Sequence, residues 1–164
     1  MRAEILKINS ETPESSLVKY AADQIRSGEV LGMPTDTFYG LAADPFNLRA
    51  VDKVYDIKTR SRHKPLSLLI ASTDQAEELA KPLPEEFYAL ARKFWPGPLT
   101  LVLPKAAGCR VADLATAGLD TVAVRVPRHP VAQRILQAFG RPVARLAATD
   151  GLLIWWLRIV FINP

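Results

Sequence analysis

Apolar residues recur along the chain with two spacings, one typical of helices and one typical of strands. Between residues 17 and 25 the apolar side chains recur at four-residue steps, which predicts an amphipathic helix that ends at Gly28. Residues 121–126 instead alternate, with valines on one face and small residues on the other, which predicts a half-buried strand. Arg125 lies in the middle of that strand, on the face of the small residues.

The same patterns predict the other elements, and helices and strands alternate along the chain. Further strands are predicted at 5–8, 30–33, 66–70, 99–103 and 142–148. Further helices are predicted at 48–55, 73–80, 85–94 and 130–139, with one short helix within 104–120. Several connections are too short for helical crossovers, which favours an α/β fold with a mixed sheet. We see no internal repeat, and residues 1–164 are interpreted as one domain.

The sequence also predicts the ends and buried faces of three helices. Asn47 is expected to cap the helix that follows it, because its side-chain oxygen can accept from the first free N–H groups. The apolar face of that helix is predicted to include Leu48. The helix at 85–94 is predicted to bury Leu90 and Phe94, and Gly140 is expected to end the helix at 130–139.

Composition is that of an ordinary globular protein with a mild basic excess. Apolar residues are 49% of the 164 and charged residues 23%, with a net charge of +4. That charge is compatible with nucleotide or RNA partners, and plain surface charge explains it equally well. Cys109 is the only cysteine, so an internal disulfide or a cysteine-rich metal site is not expected. His63 and His129 do not have the spacing of metal ligands.

Neither end of the chain predicts a membrane segment. Residues 1–16 contain no long apolar core, so we expect no signal peptide. The apolar run at 152–162 is too short to span a bilayer and contains Arg158. A cytoplasmic location without membrane association is therefore expected.

Candidate chemistry begins between residues 28 and 67. A predicted strand leads into a hydroxyl-rich turn, and the next helix leads into a cluster of cations, which are Lys58, Arg60, Arg62, His63 and Lys64. This order suits an anionic or phosphorylated small molecule at the end of a sheet. The chain has neither a Walker sequence nor GxGxxG, so any phosphates would have to be held by side-chain cations. Alternatively, the first two cations neutralise the helix dipole.

A charged group in the middle of a strand is costly unless it is paired or bound to an anion. Both a ligand role and a structural ion pair are therefore open for Arg125. The chain has no Ser–His–Asp arrangement and no paired carboxylates, which indicates a site that orients and neutralises its substrates. We assign no catalytic residue from the sequence.

Four stretches of sequence together resemble one known family. They are PTDTFYGLAAD at 34–44, KTR with KPL at 58–66, FWPGPLTLVLP at 94–104 and GLDTVAVRVPRHP at 118–130. Their order and content resemble the YrdC-like family, whose best-understood members are threonylcarbamoyl-AMP synthases. The resemblance implies a single-domain fold with a twisted mixed sheet, flanking helices and a basic concave face.

The resemblance also implies a reaction and a set of binding residues. Family members convert L-threonine, bicarbonate and ATP to threonylcarbamoyl-AMP and pyrophosphate, and partner proteins then modify tRNA. By resemblance, Lys58 and Arg60 contact the ATP phosphates. The candidates around threonine and the carbamate are Thr35, His63, Ser67 and Arg125. Thr37 and Tyr39 are expected to shape the turn, and hydrogen bonds to their own backbone are the alternative for the two threonines. Mg²⁺ is expected with ATP, held mostly by phosphates and water rather than by a dedicated metal site.

The chain departs from the family after Pro142-Val143. The family has a Ser-x-Asn motif there, whereas this chain continues Ala144-Arg145-Leu146 and has no serine after Ser72. We therefore interpret residues from about 145 as atypical. One hypothesis is a foreign tail, from a shifted reading frame or a truncation, that is exposed, disordered or buried in a dimer contact. The alternative is a strand that completes the sheet.

The sequence is also compatible with two other functions. A YrdC-like protein could hold nucleotide or RNA, including tRNA or double-stranded RNA, on a basic face without turnover. YrdC-like domains also occur in a hydrogenase-maturation protein, which suggests a carbamoyl-transfer enzyme. The lack of accessory domains in these 164 residues counts against that last interpretation.

Overall fold

Eight short strands form one mixed sheet in the computed structural model, which describes residues 4–148 and 158–163. The strands are β1 (Ile5–Asn9), β2 (Leu31–Met33), β3 (Gly40–Ala43), β4 (Ser67–Leu69), β5 (Leu101–Pro104), β6 (Thr121–Arg125), β7 (Val143–Ala147) and β8 (Arg158–Asn163). Their order across the sheet is β1-β8-β2-β3-β7-β4-β6-β5. The pairs β1–β8, β8–β2 and β4–β6 are parallel and the others are antiparallel. The predicted α/β class with a mixed sheet is confirmed.

Five helices flank the sheet. They are α1 (Ser15–Arg26), α2 (Leu48–Lys58), α3 (Thr73–Leu79), α4 (Glu85–Phe94) and α5 (Pro130–Phe139). The oxygen of Asn47 accepts from the backbone N–H groups of Arg49 and Ala50 at 3.1 and 3.3 Å, which confirms the predicted cap. Gly140 ends α5 with φ +77°, a conformation that glycine adopts without strain. Within the described ranges, none of these helices is long and apolar enough to cross a membrane.

Each face of the sheet carries its own apolar core. On one face α1 and α5 bury Ile25 and Ile135 against Leu31 and Val143. On the other face α2, α3 and α4 pack against side chains that include Leu41, Leu68 and Val124. The inner strands β3, β4 and β7 contribute side chains to both cores, which alternate along each strand.

Strand register places one arginine among small side chains on one face of the sheet. One row across the sheet runs Leu31, Ala42, Arg145, Ser67 and Ala123. The first two belong to the core under α1 and α5. The last three are half-buried and lie outside that core. The floor beyond the two helices is therefore made of one long cation between small side chains.

The sequence missed one strand and overestimated the burial of three apolar side chains. β3 was not predicted, because four small and apolar residues carry little β-strand signal. Leu48, Leu90 and Phe94 were expected to be buried but are 59%, 38% and 41% exposed. Leu48 and Phe94 are the first and last residues of their helices, where a side chain can point away from the core.

The short helix predicted within 104–120 is also wrong. That segment consists of turns, with backbone bonds such as Cys109 N–H to the Ala106 carbonyl. Ala117 and Gly118 both have positive φ, which a continuous helix does not allow.

Residues 158–163 correct one expectation about the C-terminal part. β8 lies inside the sheet, parallel to both neighbours, with Val160 beside Leu6 and Ile159 beside Gly32. The strand alternative is therefore confirmed for these residues, and the expectation of an exposed, disordered or dimer-buried segment is wrong there. The remaining residues of the predicted tail segment, 149–157, lie outside the described residues.

Candidate functional site

Three segments of the chain meet at one edge of the sheet. Met33 at the end of β2 pairs with Gly40 at the start of β3, and Gly40 pairs with Ala147 at the end of β7. β4 runs antiparallel to β7, so its first residue, Ser67, lies toward the same edge. The β2–β3 loop, the α2–β4 connection and the end of β7 therefore converge there, and the first two carry the hydroxyl-rich and cationic motifs.

Arg125 is the most buried charged group of this region. Its Nη2 donates to Asp36 Oδ1 at 2.5 Å, and its Nη1 donates to Thr37 Oγ1 at 3.2 Å. Its Nε donates to the Gly97 carbonyl at 2.9 Å. Of the two alternatives for this residue, the structure contains the ion pair, and ligand binding stays a prediction. The guanidinium joins the β2–β3 loop to the Trp95–Pro98 turn.

Thr35 stabilises the β2–β3 loop. Its hydroxyl lies 2.7 Å from the Phe38 carbonyl, to which it donates, and it accepts from the Thr37 N–H at 3.3 Å. The two threonine hydroxyls are 3.1 Å apart. These are the turn hydrogen bonds that the sequence left open as the alternative to a ligand role.

The predicted phosphate-binding cations lie just before β4. Lys58 is the last residue of α2, and Arg60 follows Thr59, which has a left-handed conformation with φ 49°. The Nε of Arg60 is buried and has no hydrogen-bond partner among the residues that the structure describes. A buried N–H without an acceptor is costly, so Arg60 is a good candidate to meet an anion. His63 lies farther along the same connection and is exposed.

Arg62 forms ion pairs within the protein. Its Nη2 contacts Asp52 and Asp56 of α2, each at 2.6 Å. Hydrogen bonds to Asp52 and then to Asp56 raise the pKa of Arg62 above its usual value. Two carboxylates of α2 thus neutralise the charge of Arg62 within the protein.

Tyr55 fixes the path of the α2–β4 connection. Its hydroxyl lies 2.8 Å from the Lys64 carbonyl and 3.0 Å from the Leu114 carbonyl, so one proton is shared between them. The side chain is fully buried, and burial raises the pKa of its phenol. The sequence predicted Tyr55 on the buried face of α2, which is confirmed, but did not predict these two hydrogen bonds.

Ser67 and Arg145 are neighbours on β4 and β7. The Ser67 hydroxyl donates to the Arg145 carbonyl at 3.2 Å, and Arg145 Nη2 donates to the Phe38 carbonyl at 3.2 Å. The Arg145 side chain lies so close over Gly40 that a Cβ there would be 2.6 Å from Nε. Burial, and next the charge on Arg125, lower the pKa of Arg145, and Asp36 opposes them.

Sequence reasoning missed Asp36, His129 and Arg145 as members of the site. The Nδ1 of His129 is buried, and no residue of the described ranges forms a hydrogen bond with it. Burial lowers the pKa of His129, and the Asp36 carboxylate opposes the shift. Asp36 and His129 both lie inside motifs that the sequence singled out, so charged residues within those motifs were the available signal.

The structure brings some of the predicted site residues into one network. Thr35, Ser67 and Arg125 are linked through Thr37, Phe38 and Arg145. Lys58, Arg60 and His63 lie on the connection that enters β4, and therefore approach the network from the same edge of the sheet.

Metal binding by the protein alone has no support in the described ranges. There, no group of three or more His, Cys, Asp or Glu side chains is placed to hold a metal ion. The expectation that Mg²⁺ enters with ATP stays a prediction.

Comparison with known proteins points to one family. The sequence model Sua5/YciO/YrdC, described as telomere recombination, matches residues 23–152. A threonylcarbamoyl-AMP synthase of Pyrococcus abyssi is 45% identical over 138 residues, which are 84% of this chain and 40% of that protein. One of Bacillus subtilis is 42% identical over 134 residues, which are 80% of this chain and 38% of that protein. The chain thus spans about two fifths of the length of these two relatives.

Solved structures give the same fold. Pyrococcus abyssi Sua5 complexed with L-threonine superposes with a TM-score of 0.88 at 37% identity, over 97% of this chain and 50% of that chain. Escherichia coli YciO superposes with a TM-score of 0.86 at 20% identity, over 98% of this chain and 84% of that chain, and that likeness concerns the fold alone. A full-length HypF structure also matches, with a TM-score of 0.74 at 16% identity over 89% of this chain and 24% of that chain, again in fold alone.

Proposed function

The chain belongs to the Sua5/YciO/YrdC family, and on that premise we propose that it converts L-threonine, bicarbonate and ATP to threonylcarbamoyl-AMP and pyrophosphate. The observation that carries the proposal is that the hydroxyl-rich loop and the cationic connection meet at one end of the sheet, and that the loop contacts the Arg125 side chain through Thr37 and Asp36. All three substrates are anions or carry a carboxylate, so a site rich in cations suits them.

Lys58 and Arg60 are proposed to bind the ATP phosphates. In the reaction, the threonine nitrogen and bicarbonate give a carbamate and water. A carbamate oxygen then attacks the α-phosphorus, and pyrophosphate leaves. Negative charge builds on the leaving pyrophosphate, and positioned cations stabilise it. The Nε of Arg60 is buried and has no hydrogen-bond partner among the described residues. This supports the role, because a phosphate would supply the missing acceptor.

The predicted residues around threonine and the carbamate are Thr35, His63, Ser67 and Arg125. Arg125 matches a carboxylate because its guanidinium forms two parallel hydrogen bonds. All three of its nitrogens already donate to protein acceptors. A ligand carboxylate must therefore share the Nη atoms with Thr37 or displace Asp36. The complex of Pyrococcus abyssi Sua5 with L-threonine supports an amino-acid site in this fold.

The proposal includes partners that would act before and after the reaction. Mg²⁺ would accompany ATP and be held mostly by phosphates and water. The product would pass to proteins that transfer the threonylcarbamoyl group to tRNA. A cytoplasmic location follows from the same proposal, since ATP and tRNA are found there.

A second candidate is binding of nucleotide or RNA without turnover. The observation that favours it is the missing Ser-x-Asn after Pro142-Val143, where Arg145 enters the site instead. A protein that held RNA by phosphate contacts alone would lose affinity steeply as salt rises.

Pyrophosphate release separates the two candidates. A synthase should release pyrophosphate from ATP only when threonine and bicarbonate are both present. A binding protein should bind ATP or RNA and release none. A carbamoyl-transfer enzyme should need a carbamoyl donor in place of bicarbonate and threonine.

A further inference from the structure

We infer that Arg145 is a further anion-binding residue, which together with Arg125 forms a site for a small planar oxyanion, either a carboxylate or bicarbonate. Arg145 belongs to none of the four motifs that identified the family. It lies just after Pro142-Val143, in the part of the chain that departs from the family sequence. The inference concerns binding alone, so it does not depend on turnover.

Two buried nitrogens of groups that interact with Asp36 have no hydrogen-bond partner among the described residues. Among the described residues, three buried polar side-chain atoms have no hydrogen-bond partner, and each of them is a nitrogen. Two of them, Nε of Arg145 and Nδ1 of His129, belong to groups that interact electrostatically with Asp36. The Nε of Arg145 always carries a hydrogen, and a buried N–H without an acceptor is rare because it loses its bond to water. A bound oxyanion would supply the acceptor.

Two guanidinium groups, those of Arg125 and Arg145, share the single carboxylate of Asp36. Asp36 is the carboxylate that pairs with Arg125, and it also lies within electrostatic reach of Arg145. Burial and the neighbouring charge of Arg125 both disfavour the charged form of Arg145. One further negative charge between the two guanidinium groups would offset both effects.

The backbone holds Arg145 in a position where it can meet a ligand. The Arg145 stem lies on Gly40, and no larger residue would fit at that position without a shift. Its strand neighbours in the same row are Ala42 and Ser67, which are too short to cover a guanidinium. Its Nη2 donates one of its two hydrogens to the Phe38 carbonyl, and its Nε has no partner among the described residues, so a ligand can meet Nε and the second Nη2 hydrogen.

A planar oxyanion fits this arrangement better than a bulky one. A guanidinium forms two parallel hydrogen bonds with carboxylate-like groups, and Nε with Nη2 is one of its two pairing edges. The half-buried floor on which Arg145 lies is bounded by the Thr35–Phe38 loop. A single carboxylate or bicarbonate is therefore the expected occupant.

The test observes Arg145 directly by nuclear magnetic resonance. ¹⁵N-labelled protein without ATP is titrated with sodium acetate or sodium bicarbonate against sodium chloride at constant ionic strength, so that screening is unchanged. The Arg145 Nε–H signal is identified by its loss in Arg145→Lys. We expect this signal to shift and saturate with acetate, bicarbonate or both, and the tighter anion identifies the source of the ligand.

Matched variants give the second arm of the test. Calorimetry should find the affinity for that anion weakened roughly tenfold or more in Arg145→Ala, the loss expected for a charge-assisted hydrogen bond. Arg134→Ala removes an exposed arginine of α5 and should change nothing. An Arg145 signal that neither anion moves would overturn the inference. So would equal or tighter anion binding in Arg145→Ala, because Arg145 would then merely fill the site. Either failure leaves the pyrophosphate assay of the proposed function unaffected.

Discussion

Arg125 on β6 and Asp36 in the β2–β3 loop form a buried ion pair, with Nη2 and Oδ1 2.5 Å apart and the side chains 5% and 13% exposed. The two residues are 89 positions apart in the sequence. The pair therefore ties a loop at the edge of the sheet to an inner strand. Because both charges have left water, each depends on the other for compensation.

Asp36→Ala should destabilise the fold strongly. It leaves the Arg125 guanidinium buried without its carboxylate, which typically costs about 3–5 kcal/mol. Urea unfolding measures the loss. The matched control is Asp23→Ala, which removes a carboxylate from an exposed ion-pair cluster on α1 with Lys19 and Arg26. Equal losses in the two variants would contradict the role of the Asp36 pair.

Lys58→Ala and Arg60→Ala should each weaken ATP binding by about 1–3 kcal/mol, the range for charge-assisted hydrogen bonds. Calorimetry with ATP and Mg²⁺ measures the affinity. Arg49→Ala removes an exposed cation at the opposite end of α2 and serves as the control. If both variants bind ATP as the parent and the control do, the phosphate assignment is wrong.

Periodicity predicted the elements well because burial on a helix face or a strand face repeats at a fixed spacing. The cap at Asn47, the end of α5 at Gly140 and the buried position of Tyr55 follow from such local rules. β3 lacks the β-branched and aromatic residues that identify a strand, so only pairing with β2 and β7 defines it.

The candidate site was only partly predictable because its contacts join distant parts of the chain. Arg125 stood out as a charge among small residues, but nothing near it in sequence indicates Asp36 as its partner. Arg62 resembled its neighbours as a free cation, and only the folded α2 places two carboxylates beside it. Arg145 reaches the site through the β3–β7 and β4–β7 pairings, which the sequence pattern does not specify.

His129 should make the stability of the protein fall at acidic pH. Burial lowers its pKa in the folded state, whereas in the unfolded chain it binds a proton below about pH 6.5. The contribution of His129 is thus complete above that pH and is lost as the pH falls through the folded pKa. Urea unfolding from about pH 7.5 to about pH 5 should show a shallower decline in His129→Gln than in the parent.

The other histidine provides the control for that experiment. His63 is exposed, and His63→Gln should keep the decline of the parent. An unchanged decline in His129→Gln would exclude His129 as its source.

Deletion of residues 158–164 should release β1 from the sheet. In the described ranges, β8 is the strand with which β1 pairs, and it separates β1 from β2. Hydrogen exchange should therefore accelerate at the amides of Ile5–Asn9 in the deleted chain. The amides of the β5–β6 pair, at the other edge of the sheet, should keep their protection. Unchanged protection in β1 would mean that β8 does not hold it.

Pyrophosphate release from ATP is the measurement that tests the proposed function most directly. The account predicts release that requires L-threonine and bicarbonate together, that is slowed at low ATP concentration in Arg60→Ala and that is unchanged in Arg49→Ala. Release from ATP alone, or the absence of release in a protein that still binds ATP and threonine, would contradict the synthase proposal. The second of these results would favour a binding protein that lacks the Ser-x-Asn of the family after Pro142-Val143.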